Sequence, residues 1–256
     1  MKESTVELRT RDGVMRTFVT HPEEGGPFPP VVLYMDIWGL RAELYDIARR
    51  LAAEGFACIL PDLYYRLGDG VHTGFRDADG RMISLHRLDP GRERQVHAAR
   101  ETLTGAMVMT DTASLLALID ADDTMRPGPV GSIGWCMGGW LVLAAAGHYP
   151  ERFQAGASLH GTRLISEAAD SPHLLAENFR GELYGGFGAL DHLSPPAMAG
   201  ELARLLEPCA VDFRHVVHDG AEHGYALPDR DIYDSRAASR DWEMIHAMFR
   251  RRLEPI

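Results

Sequence analysis

The chain has 256 residues, is 45% apolar and 25% charged, and carries a formal net charge of −11. That length suits a single α/β domain over residues 1–256 with a substantial core, and the acidic balance disfavours a nucleic-acid partner, which needs concentrated positive charge. Lys2 is the only lysine, which argues against Schiff-base and pyridoxal phosphate chemistry, and Cys58, Cys136 and Cys209 are too scattered for a disulfide framework or a thiolate zinc site.

The N-terminal stretch MKESTVELRTRDG is charged and alternating, unlike a signal peptide. No run of about 18 apolar residues occurs, so no bilayer span and a reducing, cytoplasmic setting are expected. TVELRT and VMRTFVT alternate on either side of RDG, which predicts an antiparallel hairpin. VVLYM is a continuous apolar run, the pattern of a strand buried on both faces. Helical spacing follows over residues 41–54, then the strand FACIL, which stops at Pro61.

Residues 62–91, rich in Gly, Asp and aromatics, have no clean period. They follow a strand's carboxyl end, where open α/β sheets bind ligands, and read as a loop partly covering a site. Residues 92–121 are mostly helical in pattern. Beyond them VGSIGW is a strand, 137–148 a helix, AGASLH a strand, GELYGGFG a strand, 195–207 a helix, VDFRHVV a strand and 232–252 a final helix. Strands alternating with helices predict parallel crossovers and a doubly wound, mostly parallel sheet.

Gly134-Trp135-Cys136-Met137-Gly138 has the form G-x-C-x-G between a strand and a helix. The serine version of this motif is the nucleophile elbow, with the nucleophile on a strained turn between close-packed backbones. A helix N-terminus there favours a thiolate and a neighbouring oxyanion. Taken alone, the pattern also fits a buried structural cysteine in a glycine-rich turn.

A thiol nucleophile needs a base, and the base an orienting carboxylate. Asp191 lies beyond the strand GELYGGFG and His223 beyond VDFRHVV, in the chain order nucleophile, acid, histidine. Asp191 is alternatively an N-cap for the helix near Pro195, and His223 a solvated loop histidine; His192, His218, Asp219 and Glu222 compete for the same roles. His218 is the weaker base because the pleat fixes its direction. His215 and His218, three apart on a strand, face opposite sides, so no metal site is expected. The backbone N–H of Met137 is the first candidate oxyanion donor and that of Ile37, in MDIWGLR, the second, with Trp38 lining the pocket.

The segments MDIWG, LAAEGFACILPDLYYR, GSIGWCMGG, GALDHLSP and DGAEHGYALPD together resemble the dienelactone hydrolase family, a cysteine branch of the α/β-hydrolases. The resemblance implies the α/β-hydrolase fold, a Cys136-His223-Asp191 triad, an oxyanion hole from Ile37 and Met137, and hydrolysis of a small-molecule ester or lactone. It implies no metal or organic cofactor. The well-studied members hold the resting thiol with a glutamate after the first buried strand; here that position is Asp36, one methylene shorter. They also grip a substrate carboxylate with arginines. Leu227 stands where one of these falls, and Arg92 or Arg94 is the candidate for the other. The expected activity is therefore a carboxylic ester or lactone hydrolase working through an acyl-enzyme. The short Asp36 and the missing arginine keep open a noncatalytic small-molecule binding protein on the same scaffold, and an accessible low-pKa thiol a redox sensor. No nucleic-acid or membrane partner is expected.

Overall fold

A computed structural model of the chain describes residues 1–68 and 74–253. The hairpin forms where alternation places it: β1 (Lys2–Arg9) pairs antiparallel with β2 (Val14–His21), from Lys2↔His21 to Arg9↔Val14. The apolar runs become β3 (Pro30–Tyr34) and β4 (Ala57–Pro61), each buried along its whole length, with the amphipathic helix α1 (Ala42–Ala53) between them. Leu44, Ile47, Ala48 and Leu51 form the buried stripe of α1, at the i, i+3, i+4, i+7 spacing that puts side chains on one face.

The pattern over residues 92–121 resolves into two helices, α2 (Pro90–Glu101) and α3 (Gly105–Ala121), bent by 59° at the junction. Each has its own start. Asp89 caps α2 by accepting from the N–H groups of Gly91 and Arg92, and Thr104 caps α3 by accepting from Met107 N–H. A capping side chain satisfies N–H groups that a continuous helix would already have used, so the second cap marks a true break.

After α3 the alternation is regular. β5 (Val130–Trp135), α4 (Met137–His148), β6 (Phe153–Leu159), β7 (Glu182–Gly188), α5 (Pro196–Leu206), β8 (Asp212–His218) and α6 (Ser235–Leu253) follow in order. One sheet of eight strands results, in the order β1-β2-β4-β3-β5-β6-β7-β8. It is antiparallel across β1, β2 and β4 and parallel from β4 to β8. Helix α4 is apolar on every side and buried from Met137 to Gly147, because β3, β5 and β6 on one side and α3 and the 3₁₀ turn Pro172–Asn178 on the others enclose it. Among the described residues no single helix is long and apolar enough to cross a membrane.

Within the aperiodic stretch 62–91, residues 69–73 lie outside the described part. The rest is tied down. Met82 donates to the carbonyl of Asp229 at 2.7 Å and accepts from Asp231 N–H at 3.0 Å. Phe75, Leu85 and Leu88 pack against a small apolar cluster of Ile37, Trp38, Met82, Val96 and Cys136. The stretch thus leans on the segment after β8 and over the carboxyl ends of the central strands.

Candidate active site

The site is assembled where β3, β5, β7 and β8 end. Cys136 joins β5 to α4 in a conformation with φ +54° and ψ −114°. Side chains seldom adopt such positive φ values, and residues held there cluster at functional sites. Three backbone hydrogen bonds of 3.1 Å hold it: its N–H donates to Leu159, and its carbonyl accepts from Gly139 and Thr162. The flanking glycines have a steric cause. A Cβ on Gly134 would enter the carbonyl of Gly138, and a Cβ on Gly138 would enter the carbonyl of Tyr34. Only glycine lets strand, turn and helix approach this closely.

His223 Nδ1 and Asp191 Oδ2 are 2.8 Å apart, although they are 32 positions apart in the chain, with α5 and β8 between them. Asp191 does a second job with its other oxygen, which accepts the N–H groups of Leu193 and Ser194 at 2.8 Å each. Three donors on one buried carboxylate fix its orientation, and through it the plane of the imidazole. Nε2 of His223 is buried, with no hydrogen bond of full geometry among the described residues. His223 and Cys136 line the same cavity, and the negative charge of the sulfur acts on the imidazole. Burial alone would push this imidazole's pKa down. The Cys136 sulfur and Asp191 overcome it and lift the pKa to about 9.

The sulfur opens on a cavity of about 400 Å³. Ile37, Trp38, Met137, His223 and Arg230 are among the residues that line it. Met137 is the first residue of α4, so its N–H has no intrahelical acceptor. In the turn after β3, the Asp36 carbonyl accepts Gly39 N–H at 3.1 Å, and one Asp36 carboxylate oxygen accepts Trp38 N–H at 3.1 Å. These bonds hold the backbone of Ile37 between them.

The structure places the other candidate residues as follows, and it takes Arg92 and Arg94 out of the pocket lining. Asp36 is fully buried and is gripped by Arg41 through both carboxylate oxygens, at 2.8 and 2.9 Å. That grip commits it to an arginine and not to the thiol. Arg92 and Arg94 are exposed on the outer side of α2; Arg92 pairs with Asp89 at 3.3 Å and lies over the ring of Phe75. The face of α2 on the cavity carries Glu93, His97, Arg100 and Glu101, one and two turns apart, which excludes positions 92 and 94 on the same helix. Leu227 is core. His218 bonds Asp241 at 2.6 Å, away from the sulfur, and His215 stacks on Phe213. Among the described residues no group of His, Cys, Asp and Glu is arranged to hold a metal ion.

Two buried residues escaped the sequence reading. His160 directly follows β6 with φ +38°, and its ring meets that of His223 edge-on at 5.0 Å between centroids. Arg230 lies seven residues beyond His223 in a loop whose course no periodicity reveals.

The model of the dienelactone hydrolase family matches residues 15–253. The chain belongs to the dienelactone hydrolase family. This hydrolase is 24% identical to a Synechocystis sp. protein named "Putative carboxymethylenebutenolidase", over 99% of its own length and 98% of the relative's. A Saccharolobus solfataricus protein of the same name is 27% identical, with 93% and 94% of the two chains covered. The crystal structure titled as a putative dienelactone hydrolase from Klebsiella pneumoniae superposes with a TM-score of 0.81 at 22% identity, covering 97% of this chain and 98% of that one. At that identity the superposition speaks for the fold, an α/β-hydrolase with an N-terminal antiparallel pair. The resemblance carried by the five motif segments is therefore the family relationship itself.

Proposed function

We propose that this hydrolase cleaves small carboxylic esters or lactones through an acyl-enzyme on Cys136. The observation that carries the reading is the strained Cys136 elbow facing a His223 whose other nitrogen is held by Asp191 at 2.8 Å. In the proposed course the proton of the thiol resides on His223 Nε2, and the sulfur attacks the carbonyl carbon of the substrate. The carbonyl π electrons move to oxygen, and the N–H groups of Met137 and Ile37 receive that oxyanion. One such donor lowers the barrier by roughly 3 kcal/mol. As the tetrahedral intermediate collapses, the C–O bond to the alcohol breaks and the leaving oxygen takes the proton from His223. Water then attacks the thioester, giving a proton to His223; the C–S bond breaks, the carboxylic acid departs, and the sulfur returns to its starting state.

Asp191 supports this by keeping the Nδ1 proton of His223 in place and stabilising the imidazolium that forms. A cavity of about 400 Å³ beside the sulfur suits an acyl group of modest size. Turnover of p-nitrophenyl esters and of a panel of lactones by the wild type and by Cys136→Ala tests the reading. Loss of turnover in the variant at an unchanged melting temperature supports it; retained turnover overturns it.

A further inference from the structure

His160 is fully buried, and among the described residues neither of its ring nitrogens has a hydrogen-bond partner. A buried imidazole without polar partners is costly, and packing places this one. Its ring meets those of His223, at 5.0 Å between centroids, and Tyr225, at 5.5 Å, both edge-on. Tyr225 is fixed at its tip. Its hydroxyl donates to Asp241 at 2.6 Å, and a Cβ on Gly186 would meet that oxygen at 2.5 Å.

The backbone around His160 is tied to the site from three sides. His160 N–H donates to the Gly186 carbonyl on β7 at 2.8 Å. Leu159 and Thr162 bracket it, accepting the N–H of Cys136 and donating to its carbonyl at 3.1 Å each. The carbonyl of Gly161 accepts the Ser194 hydroxyl at 2.7 Å, and Asp191 binds Ser194 N–H. The turn after β6 thus joins the elbow to the loop of Asp191, and the His160 ring lies against His223.

We infer that His160 is a positioning residue that keeps the Nε2 edge of His223 in place through edge-on ring contact. The inference rests on His223 being the base and deepens that reading. Asp191 holds the imidazole at Nδ1 only, so the ring can rock about that bond unless something bears on its side. His160 bears on it, and Tyr225 backs His160; edge-on aromatic pairs are favourable and directional. Burial, then the charges of His223 and Arg230, hold the pKa of His160 well below the ordinary histidine value. The ring therefore stays uncharged beside the imidazolium that His223 becomes. A displaced base costs rate more than affinity, because the bound ester does not depend on it.

Steady-state kinetics of wild type, His160→Leu and His160→Phe with p-nitrophenyl acetate test this. Leucine fills much of the space without a flat ring, and phenylalanine restores the flat ring without nitrogens. His160→Leu is expected to lower kcat by about 10–100-fold with KM within about twofold, and His160→Phe to recover most of kcat. A second readout needs no turnover. The Nδ1–H proton NMR signal of His223, identified by its absence in His223→Gln, should persist in His160→Phe and broaden in His160→Leu. Wild-type kcat in His160→Leu overturns the inference, as does a loss confined to KM or a His160→Phe that falls as far as His160→Leu. Should His160→Leu not fold, His160→Phe decides: near wild-type kcat with the signal kept supports the inference, and loss of either overturns it. If Cys136→Ala retains turnover, the nucleophile reading fails, and the Nδ1–H signal still reads the contact between His160 and His223.

Discussion

Arg41 grips both oxygens of Asp36, with its terminal nitrogens 2.8 and 2.9 Å away. Its Nε reaches Asp229 at 2.6 Å, so one buried guanidinium joins the turn after β3 to the loop that carries His223. The proposed oxyanion donor and the proposed base are therefore held in register by an ion pair and not by packing alone. Asp36→Ala leaves the guanidinium half-compensated. It is expected to cost about 3–5 kcal/mol, as breaking buried pairs does, and to lower the melting temperature by about 6–20 °C for a chain of this size. Differential scanning fluorimetry checks this; a shift within a degree of the wild type contradicts it.

Asp191→Asn separates orientation from folding. The side-chain oxygen can still accept the N–H groups of Leu193 and Ser194, as Oδ1 does now at 2.8 Å, so the loop should keep its shape. The charge that stabilises imidazolium is lost. Turnover of a p-nitrophenyl ester is expected to fall by up to about 10⁴-fold with a near-normal melting temperature. Activity within a factor of a few of the wild type would remove Asp191 from the proposed machinery.

His223 links stability to pH. Its pKa is raised in the folded state to about 9, above the ordinary value of about 6.5. Between these pH values the folded chain binds more protons than the unfolded one, so stability falls as pH rises. The contribution is full below about pH 6.5 and is lost on passing through about pH 9. Urea unfolding of the wild type and His223→Gln across this range should show the difference between them narrowing with pH. A difference that widens contradicts the assignment.

Much of the fold was legible because burial imposes composition. The continuous apolar runs of β3 and β4 are buried on both faces, and the alternation of β1 and β2 matches a hairpin at the sheet's edge. The elbow was legible because Gly134 and Gly138 leave no room for a side chain. The break between α2 and α3 was not, since it rests on Thr104 acting as a cap, with no proline at the junction. Which face of α2 meets the cavity was equally hidden, because tertiary placement decides it and the helix is polar nearly all round. The partner of Asp36 was hidden for another reason: Arg41 is five residues away, but Asp229, which completes the bridge, is 188 residues from Arg41. Pairings of that separation leave no local pattern.

Asp241 is fully buried and accepts from Tyr184 and Tyr225 hydroxyls at 2.7 and 2.6 Å, with His218 at 2.6 Å. It ties α6 to β7, to the end of β8 and to the residue two beyond His223. Asp241→Leu strands three buried polar groups, each costing about 1–3 kcal/mol. The denaturant midpoint is expected to fall sharply with the same slope per molar denaturant. An unchanged midpoint would show that this network contributes nothing to stability.

The central claim is that the sulfur of Cys136 becomes covalently acylated during turnover. Rapid acid quenching of the enzyme with a p-nitrophenyl ester, followed by intact-mass and peptide mass spectrometry, tests it most directly. The account predicts a mass gain of one acyl group, located on the peptide containing Cys136 and absent from Cys136→Ser at that position. Steady turnover with no adduct on that peptide, or an adduct on Cys209 alone, would contradict it.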